Sequence, residues 1–165
     1  MPTIKPKPGA PRPRGQQQEP RHDVVLMEPG DYEVTRESTF TVKVPLRHRS
    51  EEDKWWVVVE PDEAEVTEEA VFRMWEYDEM VEMRKLATKY DQVRRVHMID
   101  HDVLNRLKVQ RFMVSWTFGR GNPRLQLHHQ NGVLTDESWA AVKRLQTNIL
   151  KHLIDEMNER YEFGG

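Results

Sequence analysis

Thr39-Phe40-Thr41-Val42-Lys43-Val44 places an apolar side chain at every second position, with Thr41 and Lys43 between them. A strand turns successive side chains to opposite faces, so the run predicts a strand with one buried face and one wet face. Antiparallel sheets accommodate that pattern readily. Toward the N-terminus, Tyr32 and Val34 alternate in the same way after the turn signal Glu28-Pro29-Gly30-Asp31. Ordered structure is expected to begin at Val24-Val25-Leu26-Met27. Toward the C-terminus, Lys54-Trp55-Trp56-Val57-Val58-Val59 is aromatic and β-branched, and it predicts a further strand buried on both faces. The paired tryptophans suit core filling better than ligand stacking. The strands thus fall at about 24–60.

Helical patterning is expected next. Thr67-Glu68-Glu69 offers a cap and two acids for a first turn, and Val71, Met74, Trp75, Val81 and Leu86 supply an interrupted apolar face over about 67–90. A second helix is predicted over about 102–118, ended by Gly119-Arg120-Gly121-Asn122-Pro123. Leu125 and Leu127 alternate with polar residues in a short extended piece, and Asn131-Gly132 is a turn. The last helix, about 136–160, has Thr135 as its cap and Asp136 and Glu137 in its first turn. Its apolar residues Trp139, Val142, Leu145, Ile149, Leu153, Ile154 and Met157 form one stripe. The fold class predicted is α+β, with N-terminal antiparallel strands followed by a helical C-terminal half. One such domain spans 23–163.

Residues 1–22 differ in character. Prolines stand at 2, 6, 8, 11, 13 and 20, among Lys5, Lys7, Arg12, Arg14, Arg21 and Gln16-Gln17-Gln18. So little apolar surface cannot offset the entropy of ordering, and the composition predicts a disordered Pro/Arg-rich arm. A plain tail or spacer is favoured over an SH3-like or phosphate-binding ligand. Elsewhere the charge is split: the net value is -3, yet Glu51 to Glu82 is dense in acids and Arg94 to Arg124 is rich in arginine. Such a dipolar chain suits solvated helix faces or docking to a charged partner. Cysteine is absent, which excludes a disulfide framework, a thiolate nucleophile and a Cys-based zinc site. No stretch reads as a signal peptide or a bilayer span, so a cytoplasmic location is expected.

Catalytic chemistry finds little support. His97 and His101 are four apart and on a helix would share a face, with His128 or His129 as a third ligand. The glutamate that serves as general base in that zinc motif does not follow His97, and surface or capping histidines are the better reading. The carboxylates of Glu60 to Glu82 are numerous, but a solvated acidic segment gives no reason for two of them to hold separated pKa values. Gly119-Arg120-Gly121 lacks the rest of a dinucleotide or phosphate loop. Ser115 and Ser138 have no nucleophile elbow around them. The sequence therefore names no catalytic residue, no cofactor and no metal. Nucleic-acid binding through the arm and Arg94 to Arg124 is weighed against by the net negative charge and the lack of a recognition signature.

The C-terminal third carries a recognisable order. An apolar run from Leu107 ends at Trp116, a Gly-Asn-Pro break follows, Leu125 and Leu127 alternate, and Gly132-Val133-Leu134-Thr135-Asp136-Glu137-Ser138-Trp139 leads into a terminal helix. Over about residues 100–162 this resembles the tail assembly chaperones of long-tailed bacteriophages. The proline-rich arm departs from a minimal chaperone and would suit a structural virion protein.

The resemblance implies a role and no reaction. Such chaperones coat the tape-measure protein in the host cytoplasm until tail-tube subunits polymerise around it, and self-association is compatible with that role. An amphipathic, Met-bearing helix can pack on a partner helix, which points to Trp116, Trp139, Ile149, Leu153 and Met157 as partner-binding residues. The same stripe would equally close the domain's own core. A structural virion component, either a head–tail connector or a minor tail protein, is the first alternative. A small nucleic-acid-associated regulator is the second.

Overall fold

The structure, a computed structural model, describes residues 37–163. The expected arm at 1–22 and the strands expected around 24–27 and 32–34 lie outside the described residues. The fold is mixed α+β, strand-rich toward the N-terminus and helical toward the C-terminus.

The opening alternation becomes β1 (Thr39–His48), which lies inside an antiparallel sheet in the order β2 (Trp56–Val58), β1, β3 (Val66–Arg73), β6 (Met113–Trp116). Phe40, Val42, Val44 and Leu46 are buried, while Lys43 and Arg47 stay exposed. The edge strand β2 is Trp56–Val58, half-buried, with Trp55 exposed beside it. The expectation of a strand buried on both faces is corrected here, because every residue of β2 is only half-buried and Trp55 stands in solvent.

Residues 67–73 do not begin a helix. Val66–Arg73 is β3, paired with β1 from Thr39↔Arg73 to Leu46↔Val66. Thr67-Glu68-Glu69 carries a helix-start signal, but β1 needs a partner along this edge, and that pairing stacks Phe72 on Phe40 at 5.5 Å between centroids. Tertiary pairing overrides local preference. The helix α1 starts later, at Tyr77, and runs to Ala87; the Glu79 side chain accepts the Glu76 N–H at its start.

Two further boundaries move for the same reason. The helix expected over 102–118 is α2 (His101–Phe112), after which Met113–Trp116 turns into strand β6. Phe72↔Met113 and Ala70↔Trp116 pair it with β3, and Thr117 N donates to Glu69 O at 2.9 Å to extend the ladder. The single terminal helix is two, α3 (Asp136–Val142) and α4 (Thr147–Phe163). Arg144 N to Ala141 O and Leu145 N to Val142 O are tightened i to i−3 bonds that close α3 before α4 starts in a new direction. The break lets α4 lie along the sheet: Asn148 Nδ2 donates to Trp56 O, His152 Nε2 meets Lys43 O, and Tyr161 OH donates to Arg73 O.

Between β6 and α3, Pro123–Leu125 is a short 3-10 turn rather than an extended piece, and the Trp116 indole donates to Leu125 O at 2.9 Å. Asn131-Gly132 turns the small hairpin of β7 (His129–Gln130) and β8 (Val133–Leu134), both residues having positive φ, as a tight hairpin turn requires. Thr135 caps α3, its Oγ1 accepting Ser138 N–H at 3.2 Å. One apolar cluster joins the inner sheet face to α1, α2, α3 and α4. No helix among the described residues is long and apolar enough to cross a membrane.

Candidate functional site

Between α1 and α2 the chain leaves the core and returns. Thr88–Asp91 (β4) and Val96–Ile99 (β5) form a separate two-stranded ribbon in the register Thr88↔Ile99, Lys89↔Met98, Tyr90↔His97 and Asp91↔Val96. The sequence builds it locally. The Asp91 carboxylate accepts the N–H groups of Val93 and Arg94, which folds the turn, and Arg95 closes it with a φ of 56°. Tyr90 and His97 face each other across the strands with ring centroids 5.2 Å apart.

An isolated ribbon of this kind is marginal in water, so its attachment matters. Asp100 supplies it. Its N–H donates to Ala87 O at 2.8 Å, its Oδ1 accepts from Asp102 N and Val103 N at the start of α2, and its Oδ2 accepts from Lys89 Nζ at 2.9 Å. The Lys89 contact, followed by the Val103 N–H, holds the Asp100 carboxyl below its usual range, and the same contact raises the Lys89 amine. Ile99 packs against the core at the base.

Beyond that base the arm carries exposed apolar side chains. Val93 at the tip is 93% exposed, Tyr90 53% and Val96 46%, and Leu86 on the last turn of α1 is 57% exposed. The register puts Tyr90 and Val96 on opposite faces of the ribbon. Both faces and the tip are therefore apolar in part, with Lys89, Arg94 and Arg95 interspersed. Clustered apolar exposure of this kind marks interaction surfaces. Only residues 88–90 of the arm fell in the helix expected over 67–90; the rest lay between that helix and the next, and the turn has neither glycine nor proline to announce it.

The residues expected to bind a partner are separated by the fold. Ile149, Leu153 and Met157 are buried in the core at 4%, 0% and 0% exposure. The expectation that they offer a partner face is corrected, because α4 turns them onto the sheet. Trp116 and Trp139 are partly buried against the same core, with Trp116 edge-on to Phe118 and the Lys143 ammonium 5.9 Å from the Trp139 ring.

The histidines are also dispersed. His97 lies in β5 and His101 opens α2, with the Asp100 cap between them, so the shared helix face expected for a metal pair does not form. His129 Nε2 meets Met113 O, and the His128 N–H donates to Ser138 Oγ. Among the described residues no group of three or more His, Asp or Glu is placed to hold a metal ion. Ser138, buried at 1%, also donates from Oγ to His128 O at 3.1 Å; it ties the β7 approach to α3 and is no nucleophile poised for attack. No family model, curated protein or solved structure matches the chain.

Proposed function

We propose that the protein is a non-catalytic assembly chaperone of the kind found in long-tailed phages, acting in the host cytoplasm and holding an apolar helical tape-measure protein until tail-tube subunits polymerise. The observation that carries this reading is the β4–β5 arm, whose Tyr90, Val93 and Val96 are left exposed on both faces and at the tip. A thin two-faced ribbon can lie along a helix and bury apolar area on each side, while the compact core behind it keeps the complex in solution. The order of residues over 100–162 supports the same role through its resemblance to tail assembly chaperones. Co-expression with a long helical tail protein that aggregates alone tests it. A soluble stoichiometric complex by light scattering, with the chain absent from purified particles, is the expected result. A chain that ignores tail proteins and is found in particles would instead make it a structural virion component.

A second reading, binding to a phosphate backbone, draws on Lys89, Arg94 and Arg95 of the same arm. It predicts duplex binding that weakens steeply with salt, which the chaperone reading does not.

A further inference from the structure

The recess between α1, α2 and the C-terminal end of α4 holds a buried lysine whose hydrogen-bond acceptor is a neutral amide. Lys108 is only 9% exposed, and its Nζ donates to Asn158 Oδ1 at 2.8 Å. Asn158 is itself committed, its Nδ2 donating to Asn105 Oδ1 at 3.0 Å. Among the described residues no carboxylate lies within ion-pair distance of Lys108, nor of Arg84, which lines the same recess. Burial, and then repulsion from Arg84, lowers the Lys108 amine pKa; Glu162 at the recess opposes that shift.

A second observation points the same way. The Trp75 indole N–H is buried with no acceptor among the described residues, and Trp75 also lines the recess. The Tyr161 hydroxyl, which donates to Arg73 O, does not accept that N–H. The recess thus sets a buried ammonium, held by a neutral amide and 6.0 Å from the Tyr161 ring, beside an indole N–H without an acceptor among the described residues. A buried charge with no counter-charge is destabilising, and an anion seated there would supply one.

We propose that this recess is a carboxylate-binding site. One buried ammonium and a guanidinium, with the Glu162 carboxylate at the same recess, suit a two-oxygen monoanion better than a phosphate dianion. The cavity, about 560 Å³, is large enough for a small acid or an acidic side chain, and Met80, Ile99 and Leu104 offer apolar wall for its methylenes. The inference does not depend on what the arm binds.

The test is an indole N–H NMR titration of the full chain, with the Trp75 signal assigned by Trp75→Phe. Propionate serves as the free acid, a helical peptide with one central glutamate as the side-chain form, and propionamide and inorganic phosphate as controls. The Trp75 indole signal is expected to move with propionate or the peptide and not with propionamide. Lys108→Met should weaken that binding about tenfold or more. The same variant should melt at a higher temperature than the parent when no ligand is present, because a buried charge with no counter-charge is gone. That rise separates a lost site from a lost fold. Peptide binding about tenfold tighter than propionate assigns the site to a partner's acidic side chain, and comparable affinities assign it to a free acid. No movement with either carboxylate, equal movement in Lys108→Met, or a stronger response to phosphate would overturn the proposal.

Discussion

Lys89 Nζ donates to Asp100 Oδ2 across 2.9 Å, and this contact closes the base of the β4–β5 arm where it leaves the helices. The Asp100 carboxyl sits below its usual range and the Lys89 amine above its own, each chiefly because of the other. For Asp100, the stabilisation is complete above the ordinary carboxylate value of about 3.9 and is lost as pH falls through the lowered one. For Lys89, it is complete below about 10.4 and is lost as pH rises through the raised value. Between those limits the Lys89 ammonium and the Asp100 carboxyl should show no titration step of their own by NMR. The pair is solvent-exposed, so its effect on stability is small. An Asp100 carboxyl titration with its midpoint above about pH 5 would contradict the assignment.

Two positions with positive φ should respond in opposite directions. Arg95 holds a long side chain at φ 56°, where glycine sits without strain. Arg95→Gly is expected to increase amide protection across 88–99 with no loss of global stability. Gly119 has φ 65°, and a methyl group there would stand 2.7 Å from Leu125 Cβ. Gly119→Ala should lower stability by about 2 kcal/mol, through the backbone and the clash together. Urea denaturation measures the second effect and hydrogen exchange the first.

Leu153 and Trp139 separate core from surface. Leu153 is fully buried, so Leu153→Ala should cost about 2–5 kcal/mol. Trp139 is only partly buried against the cluster, and Trp139→Ala should cost less. Equal losses in urea titrations would mean that α4 does not lie on the sheet as described.

Ser138 should matter out of proportion to its size. It is buried at 1%, its Oγ accepts from His128 N and donates to His128 O, and its N–H meets the Thr135 cap. Ser138→Ala leaves the His128 backbone groups without this partner and should cost about 1–3 kcal/mol, read as a shift in the urea midpoint at constant slope.

The parts legible in the sequence are those whose signal is local. The Phe40-Val42-Val44 alternation, the Asn131-Gly132 turn and the Thr135 cap each depend on neighbours within a few residues, and each appears where expected. Val66–Arg73 and Met113–Trp116 were misjudged because their state is set by pairing with strands far along the chain, Phe40↔Phe72 and Phe72↔Met113. The stripe from Trp139 to Met157 kept its period but concealed a break, since residues on both sides of Lys143 to Gln146 face the same core. The arm was illegible for a different reason: its turn rests on a lone Asp91 carboxylate and an arginine in the left-handed region, with no glycine or proline beside them.

The central claim is that the arm does the holding. The most direct measurement compares the parent chain with a variant carrying Tyr90→Ser, Val93→Asp and Val96→Ser, each co-expressed with the helical tail protein and recovered by pull-down. Urea curves should coincide, because these side chains lie outside the core. The account predicts that the variant stays folded and loses about tenfold or more in affinity, leaving the partner to aggregate. A variant that still recovers its partner in full, and keeps it soluble, would contradict the account.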